Sequence, residues 1–257
     1  NAFPARHMPD SVNGFLKDVS EGKAAIAPPI PLPPKFKGQI AFEVDTCIGC
    51  WLCLKVCSAR AIEAIPEKKN GQVPVVLMPT PCYHSYWAAA LAHRAEPHYM
   101  AATPENRYLP TADSVDKALL DRAAIVYVCS PANPQGTVAD VAYWKAWIEA
   151  AQAHDFLLVI DECYSEIYPD PTKPPTGGLE GAVAAGGGSA GGSLKNVVVM
   201  HSLSKRSGVP GLRSGFMAGC PDVIAHYKRL VGFACSPTPL PVLEAAVKLW
   251  SDEAHVE

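Results

Sequence analysis

From residue 73 to the end of the chain, short apolar runs alternate with longer stretches of mixed polarity. Residues 73–78, 125–129, 156–160 and 197–200 are nearly uninterrupted apolar runs rich in Val, Ile and Leu, the pattern of strands covered on both faces. Between them, residues 86–94 read as an Ala-rich helix, 114–123 as a helix capped by Ser or Asp, and 138–154 as an amphipathic helix. Residues 97–101 and 216–218 read as weaker strands, and 223–234 and 240–252 as helices. Strands and helices alternating at these lengths predict an α/β domain with a mostly parallel sheet. Residues 177–193 are Gly-, Ala- and Ser-rich, hold too little apolar surface for a core element, and are expected to form a flexible surface loop.

The first 71 residues have a different texture. Residues 11–19 form one short amphipathic stretch, and five prolines within residues 28–34 fix φ and remove donors, which predicts an extended polyproline II spacer or strap. Residues 40–46 alternate as a short strand. A polar, turn-like stretch at 67–71 then divides the chain into a lead-in, residues 1–71, and an α/β domain, residues 72–257.

Composition narrows the function classes. The 257 residues are 49% hydrophobic and 18% charged, enough for one large core or two smaller ones. A formal net charge of −3 and the absence of any Lys/Arg run give no support for a nucleic-acid partner, so small-molecule chemistry is the better expectation. No run of 18 apolar residues predicts a membrane span, and the first residues, which do not begin with Met, lack the apolar region of a signal peptide. Four of the nine cysteines, Cys47, Cys50, Cys53 and Cys57, fall within eleven residues, which suits metal ligation in a reducing cytoplasm better than a secreted disulfide frame.

Their spacing, C-x2-C-x2-C-x3-C, lets three thiolates wrap one face of a cubane cluster, with Gly49 permitting the tight turn. The segment from about residue 12 to 70 resembles half of a bacterial two-cluster 4Fe-4S ferredoxin, at the start of an electron-transfer subunit of hydrogenase or NADH-dehydrogenase type. That resemblance implies a 4Fe-4S electron-transfer site using Cys47, Cys50 and Cys53, with Cys57 a ligand of the second cluster in that family, so that here the first three cysteines lack their fourth ligand and Cys57 lacks its cluster. Two departures stand against it: Ser58 replaces the proline after the fourth cysteine, and no second cysteine triplet follows. Unmetallated buried thiols or a zinc site remain open as readings.

The chemistry of the larger segment centres on residues 197–215. A buried strand ending in Ser202-Leu203-Ser204-Lys205, with Arg213 eight residues past the lysine, delivers an amine toward an anion site. By itself the segment admits a second reading, a turn with a solvated Lys205 and Arg213 paired to a surface carboxylate. Three more motifs follow strands, at the edge where open α/β sheets bind ligands. Asn133, in Asn-Pro-x-Gly, is held by a turn with its amide free to donate, although such a stretch alone is often just a turn. Asp161 stands on the lip of a buried strand, where it needs a cationic partner unless it only caps the next helix, and Tyr164 lies three residues on. Tyr83 follows the strand at 73–78 and can lay its ring on a flat ligand.

Taken in order, Tyr83, Asn133-Pro134-x-Gly136, Asp161-x-x-Tyr164, Ser202-x-x-Lys205 and Arg213 resemble fold type I, class I/II aminotransferases that depend on pyridoxal 5'-phosphate. The run from Ser202 to Phe216 is similar to the succinyldiaminopimelate aminotransferase branch. The resemblance implies a Schiff base on Lys205, which also shuttles the proton, and Asp161 on the pyridinium nitrogen. It further implies Asn133 and Tyr164 on the phenolic oxygen, Tyr83 stacked on the ring, and Ser202, Ser204 and Arg213 on the phosphate. The activity implied is transamination between an amino acid and a 2-oxo acid, in a homodimer. The family's Gly-rich phosphate loop would precede residue 73, where this chain has its cysteines, and a small domain with an Arg for the substrate carboxylate would follow Glu257. The chain is therefore expected to be an incomplete large domain, of natural or chimeric origin, with weaker cofactor binding than a complete enzyme.

Overall fold

In the computed structural model, the structure describes residues 69–170, 172–186, 194–234 and 238–256. The lead-in expected over residues 1–71, its polyproline strap, its short strand and the four crowded cysteines therefore lie outside the described residues, apart from residues 69–71.

Six strands form one sheet: β1 (Val75–Thr80), β2 (Glu96–Ala101), β3 (Ala123–Cys129), β4 (Leu157–Asp161), β5 (Val197–Ser202) and β6 (Gly215–Gly219), in the order β2-β1-β3-β4-β5-β6. The first five are parallel, and β6 runs antiparallel to β5. Parallel neighbours require crossovers, supplied by α1 (His84–Ala92), α2 (Lys117–Arg122), α3 (Val141–His154) and α4 (Gly178–Ala185). After β5 come the one-turn helix α5 (Leu203–Arg206) and a 3-10 turn (Pro210–Leu212). Helices α6 (Pro221–Ala234) and α7 (Leu240–Ser251) follow β6.

The apolar runs are continuous because both sheet faces are covered, and the period of two sorts them. Val75, Leu77, Val126, Val128, Leu158, Ile160, Val197 and Val199 join one core with Trp144, Trp147 and Ile148 of α3. Their alternate neighbours face the other way: Val76 and Met78 pack with Tyr86 and Ala90 of α1, and Val159 and Val198 with Cys220. Helix α3 is held at both ends. The Asp140 carboxylate accepts from the Tyr143 N–H (2.8 Å), and at the C-terminus Lys69 Nζ donates to the carbonyls of His154 (2.9 Å) and Asp155 (2.8 Å), and also to that of Ala123 (2.5 Å) at the start of β3.

One element departs from expectation. Residues 178–185 of the supposed flexible loop are helix α4, with Gly178, Gly181 and Ala182 buried. The small side chains are the reason: a Cβ on Gly181 would collide with Trp144 and one on Gly178 with Ile160, so the helix lies directly against α3 and the sheet. Apolar area is thus traded for closeness of approach, which a hydrophobicity count misses. A smaller departure lies at 114–123, where Ser114 ends a 3-10 turn (Ala112–Ser114) and Asp116 caps the shorter α2 by accepting from Ala118 N–H (2.8 Å). Among the described residues no helix is long and apolar enough to cross a membrane.

Candidate functional site

Parallel strands place their C-terminal ends at one edge, and four of the singled-out motifs emerge there: after β1 (Tyr83), after β3 (Asn133), at the end of β4 (Asp161) and at the end of β5 (Ser202). Cys129 and Asp161 are paired across β3 and β4, and the Ser130 N–H donates to the Asp161 carbonyl (3.1 Å). Asn133 sits in a closed turn: Gly136 N–H donates to Ala132 O (2.6 Å), with Gly136 at φ 76°, where glycine is unstrained. Its side-chain amide donates to the Tyr164 hydroxyl (3.4 Å). Lys205 Nζ stands 5.4 Å from the centroid of the Tyr164 ring. Asn133, Tyr164 and Lys205, brought from three separate segments, therefore form one cluster.

Asp161 is oriented by two neutral donors. Its Oδ2 accepts from the Tyr86 hydroxyl (2.5 Å) and its Oδ1 from the Cys163 N–H (3.0 Å), the latter a local cap of the following turn. Among the described residues it has no cationic partner within ion-pair reach. Tyr86 was not among the candidates from sequence. It lies three residues after Tyr83, on the same face of α1, and its ring stacks on Tyr127 at 4.4 Å and 3°. Burial, and then the Asp161 carboxylate, push the Tyr86 hydroxyl well above the ordinary phenol range, so it stays a donor. Burial and the same carboxylate push the Cys129 thiol up to about 12 and raise that of Cys163.

At the end of β5, Ser202 caps α5. Its Oγ accepts from the Ser204 N–H (3.1 Å) and lies 2.9 Å from Ser204 Oγ. Arg213 has left-handed backbone (φ 51°) and its guanidinium donates to Pro210 O (3.0 Å). The neighbouring Ser214 carbonyl accepts from Leu203 N–H (3.1 Å), which ties the arginine's segment to the Ser202 turn. Tyr83 occupies the N-cap position of α1 without a side-chain capping bond; the residue is 42% exposed, and its ring is edge-on to Tyr86 at 5.9 Å.

A carboxylate held by two neutral donors, an amine over a tyrosine ring and a serine turn beside an arginine suit a flat heteroaromatic ring with a protonated nitrogen, an aldehyde and a phosphate tail. Pyridoxal phosphate has these groups, and the residues present fit it. Cys47, Cys50, Cys53 and Cys57 lie outside the described residues, and among the described residues no group of three or more His, Cys, Asp or Glu could hold a metal ion.

The model of the family described as aminotransferase class I and II matches residues 52–257, a span that takes in Cys53 and Cys57. LL-diaminopimelate aminotransferase of Aquifex aeolicus is 28% identical over 185 residues, 72% of this chain and 45% of that protein. The 4-dedimethylamino-4-oxo-anhydrotetracycline transaminase OxyQ of Streptomyces rimosus is 36% identical over 133 residues, 52% of this chain and 35% of that protein. Among solved structures, aminotransferase AspB of Helicobacter pylori superposes with a TM-score of 0.64 at 37% identity, covering 72% of this chain and 47% of that one. The chain thus spans less than half the length of each of these relatives.

Proposed function

Because the chain belongs to the aminotransferase class I and II family, we propose that it forms the cofactor-binding core of a pyridoxal-phosphate-dependent transaminase acting on an amino acid and a 2-oxo acid. The observation that carries this reading is the convergence of Asn133, Tyr164 and Lys205 beside an Asp161 that, among the described residues, neutral donors orient. When bound, pyridoxal phosphate supplies an electron sink for the carbon that loses its proton.

The residues have these roles. Asp161, pinned by Tyr86 and Cys163, presents a fixed carboxylate to a protonated ring nitrogen and keeps that proton in place. Asn133 and Tyr164 donate to the ring oxygen, and their mutual contact sets their spacing. Tyr83 covers the ring and excludes water from one face. Ser202, Ser204 and the Arg213 fork would hold the phosphate. Lys205 Nζ, held over the Tyr164 ring, is the base that takes the substrate Cα proton and returns it.

The diaminopimelate aminotransferases among the relatives, and the likeness of residues 202–216 to the succinyldiaminopimelate branch, make diaminopimelate-type amino acids the first substrates to try. A homodimer, and a reducing cytoplasm in keeping with the free thiols Cys82, Cys129, Cys163 and Cys220, complete the proposal. Adding pyridoxal phosphate to the protein is expected to produce a visible absorbance band that Lys205→Ala abolishes. A band of equal size in that variant overturns the assignment of Lys205.

A further inference from the structure

The residue beside Asp161 belongs to a second, buried arrangement that the proposed chemistry does not use. Glu162 is 5% exposed, and its carboxylate is shared between two donors from opposite sides. Its Oε1 accepts from the Gly178 N–H at the start of α4 (2.5 Å), and its Oε2 lies 2.8 Å from His201 Nε2. The backbone comes close here because residue 178 is glycine: a Cβ there would collide with Ile160 Cδ1 and stand 3.3 Å from Glu162 Oε1, so only a glycine lets its amide donate from this place. A buried carboxylate held this way is costly unless both bonds form, so it fixes the groups that satisfy it.

The held group is His201, one residue before Ser202. Its ring lies between Glu162 and Phe216 of β6, stacked at 4.9 Å and 21°, and its Nδ1 is 3.4 Å from Ser165 Oγ. Across the β5–β6 ladder, His201 pairs with Phe216 and Ser202 with Gly215. On the other side, the Glu162 N–H donates to Met200 O (2.9 Å). The ends of β4, β5 and β6 and the start of α4 therefore meet at one carboxylate–imidazole contact.

We propose that Glu162 and His201 are a positioning pair that sets the place of the Ser202–Ser204 turn relative to Asp161. They thereby fix the distance between the phosphate end and the ring-nitrogen end of the site. For its ligand this inference rests on the cofactor reading above; the hold on the turn is a property of the chain itself. Both residues make their contacts within the protein, so the effect is on where Ser202 Oγ and the Ser204 amide stand.

Two near-isosteric variants test it: Glu162→Gln, which keeps an acceptor for Gly178 but loses the charge, and His201→Phe, which keeps the stack on Phe216 but leaves Glu162 Oε2 without its donor. Amide hydrogen exchange is read at Leu203 and Ser204, and affinities are titrated for pyridoxal phosphate and for pyridoxal, which lacks the phosphate. In both variants the Leu203 and Ser204 amides should exchange about tenfold faster while those of Val159 and Ile160 stay within about twofold of wild type. The dissociation constant for pyridoxal phosphate should rise about tenfold with that for pyridoxal nearly unchanged. Unchanged exchange at Leu203 and Ser204 overturns the inference. So does an equal loss of affinity for both ligands alongside a lowered melting temperature, which describes a general scaffold role. Faster exchange at the turn in a chain whose wild type binds neither ligand upholds the pair's hold on the turn and removes the cofactor reading instead.

Discussion

At the scale of single residues, the site divides into groups that local sequence reveals and groups that only folding supplies. Asn133, Asp161, Tyr164 and Lys205 each carry a short motif after an apolar run, so their placement at the strand ends was legible. Tyr86 was not: its bond to Asp161 joins residues 75 apart, and its sequence neighbourhood, an Ala-rich helix, points only to packing. The hint was the three-residue step from Tyr83. Tyr86→Phe keeps the stack on Tyr127 but takes from Asp161 one of its two donors, and pyridoxal phosphate affinity should fall by about 1–2 kcal/mol in a spectral titration. The thiols give a second expectation at this scale. Since burial pushes Cys129 up to about 12, iodoacetamide at neutral pH should leave it unmodified in the folded protein and alkylate it once denaturant is added, as peptide mapping will show.

At the scale of elements, strand positions followed the apolar runs to within two residues because burial on both faces leaves no ambiguity about period. Helix α4 escaped because its stabilisation comes from Gly178 and Gly181 letting backbones meet, and glycine in a sequence reads equally as a loop. Gly181→Ala tests that account. Helix propensity alone predicts a gain of under about 1 kcal/mol, whereas the collision with Trp144 predicts a loss of about 1–3 kcal/mol in denaturant unfolding. Lys69 teaches a similar lesson at the other end of α3, where a residue in a polar turn serves as the cap of a helix starting some seventy residues later. Lys69→Met should cost about 1–3 kcal/mol by the same measurement, since three carbonyls lose their donor.

At the scale of the molecule, the raised groups act together. Cys129, Cys163, Tyr86 and Tyr143 all have folded values above their unfolded ones, chiefly through burial. Such groups favour the fold fully below the unfolded values, about 9 for a thiol and 10 for a phenol, and that contribution disappears as pH rises. The melting temperature should therefore decline between about pH 9 and pH 12, and Cys129→Ala should shallow the decline; a flat profile would contradict the burial of these groups. The sheet order has its own outcome for synthesis. Strand β3 joins β1 on the side away from β2, and each later strand adds beside the one before it, so as the chain leaves the ribosome the sheet can grow outward from a single edge. The Asp161 end is then in place before the strand that ends in Ser202, and the helical turn with Lys205 that follows it, emerge. Once residues up to about 170 have left the ribosome, the nascent chain would already present a four-stranded template whose open side is the docking edge for β5.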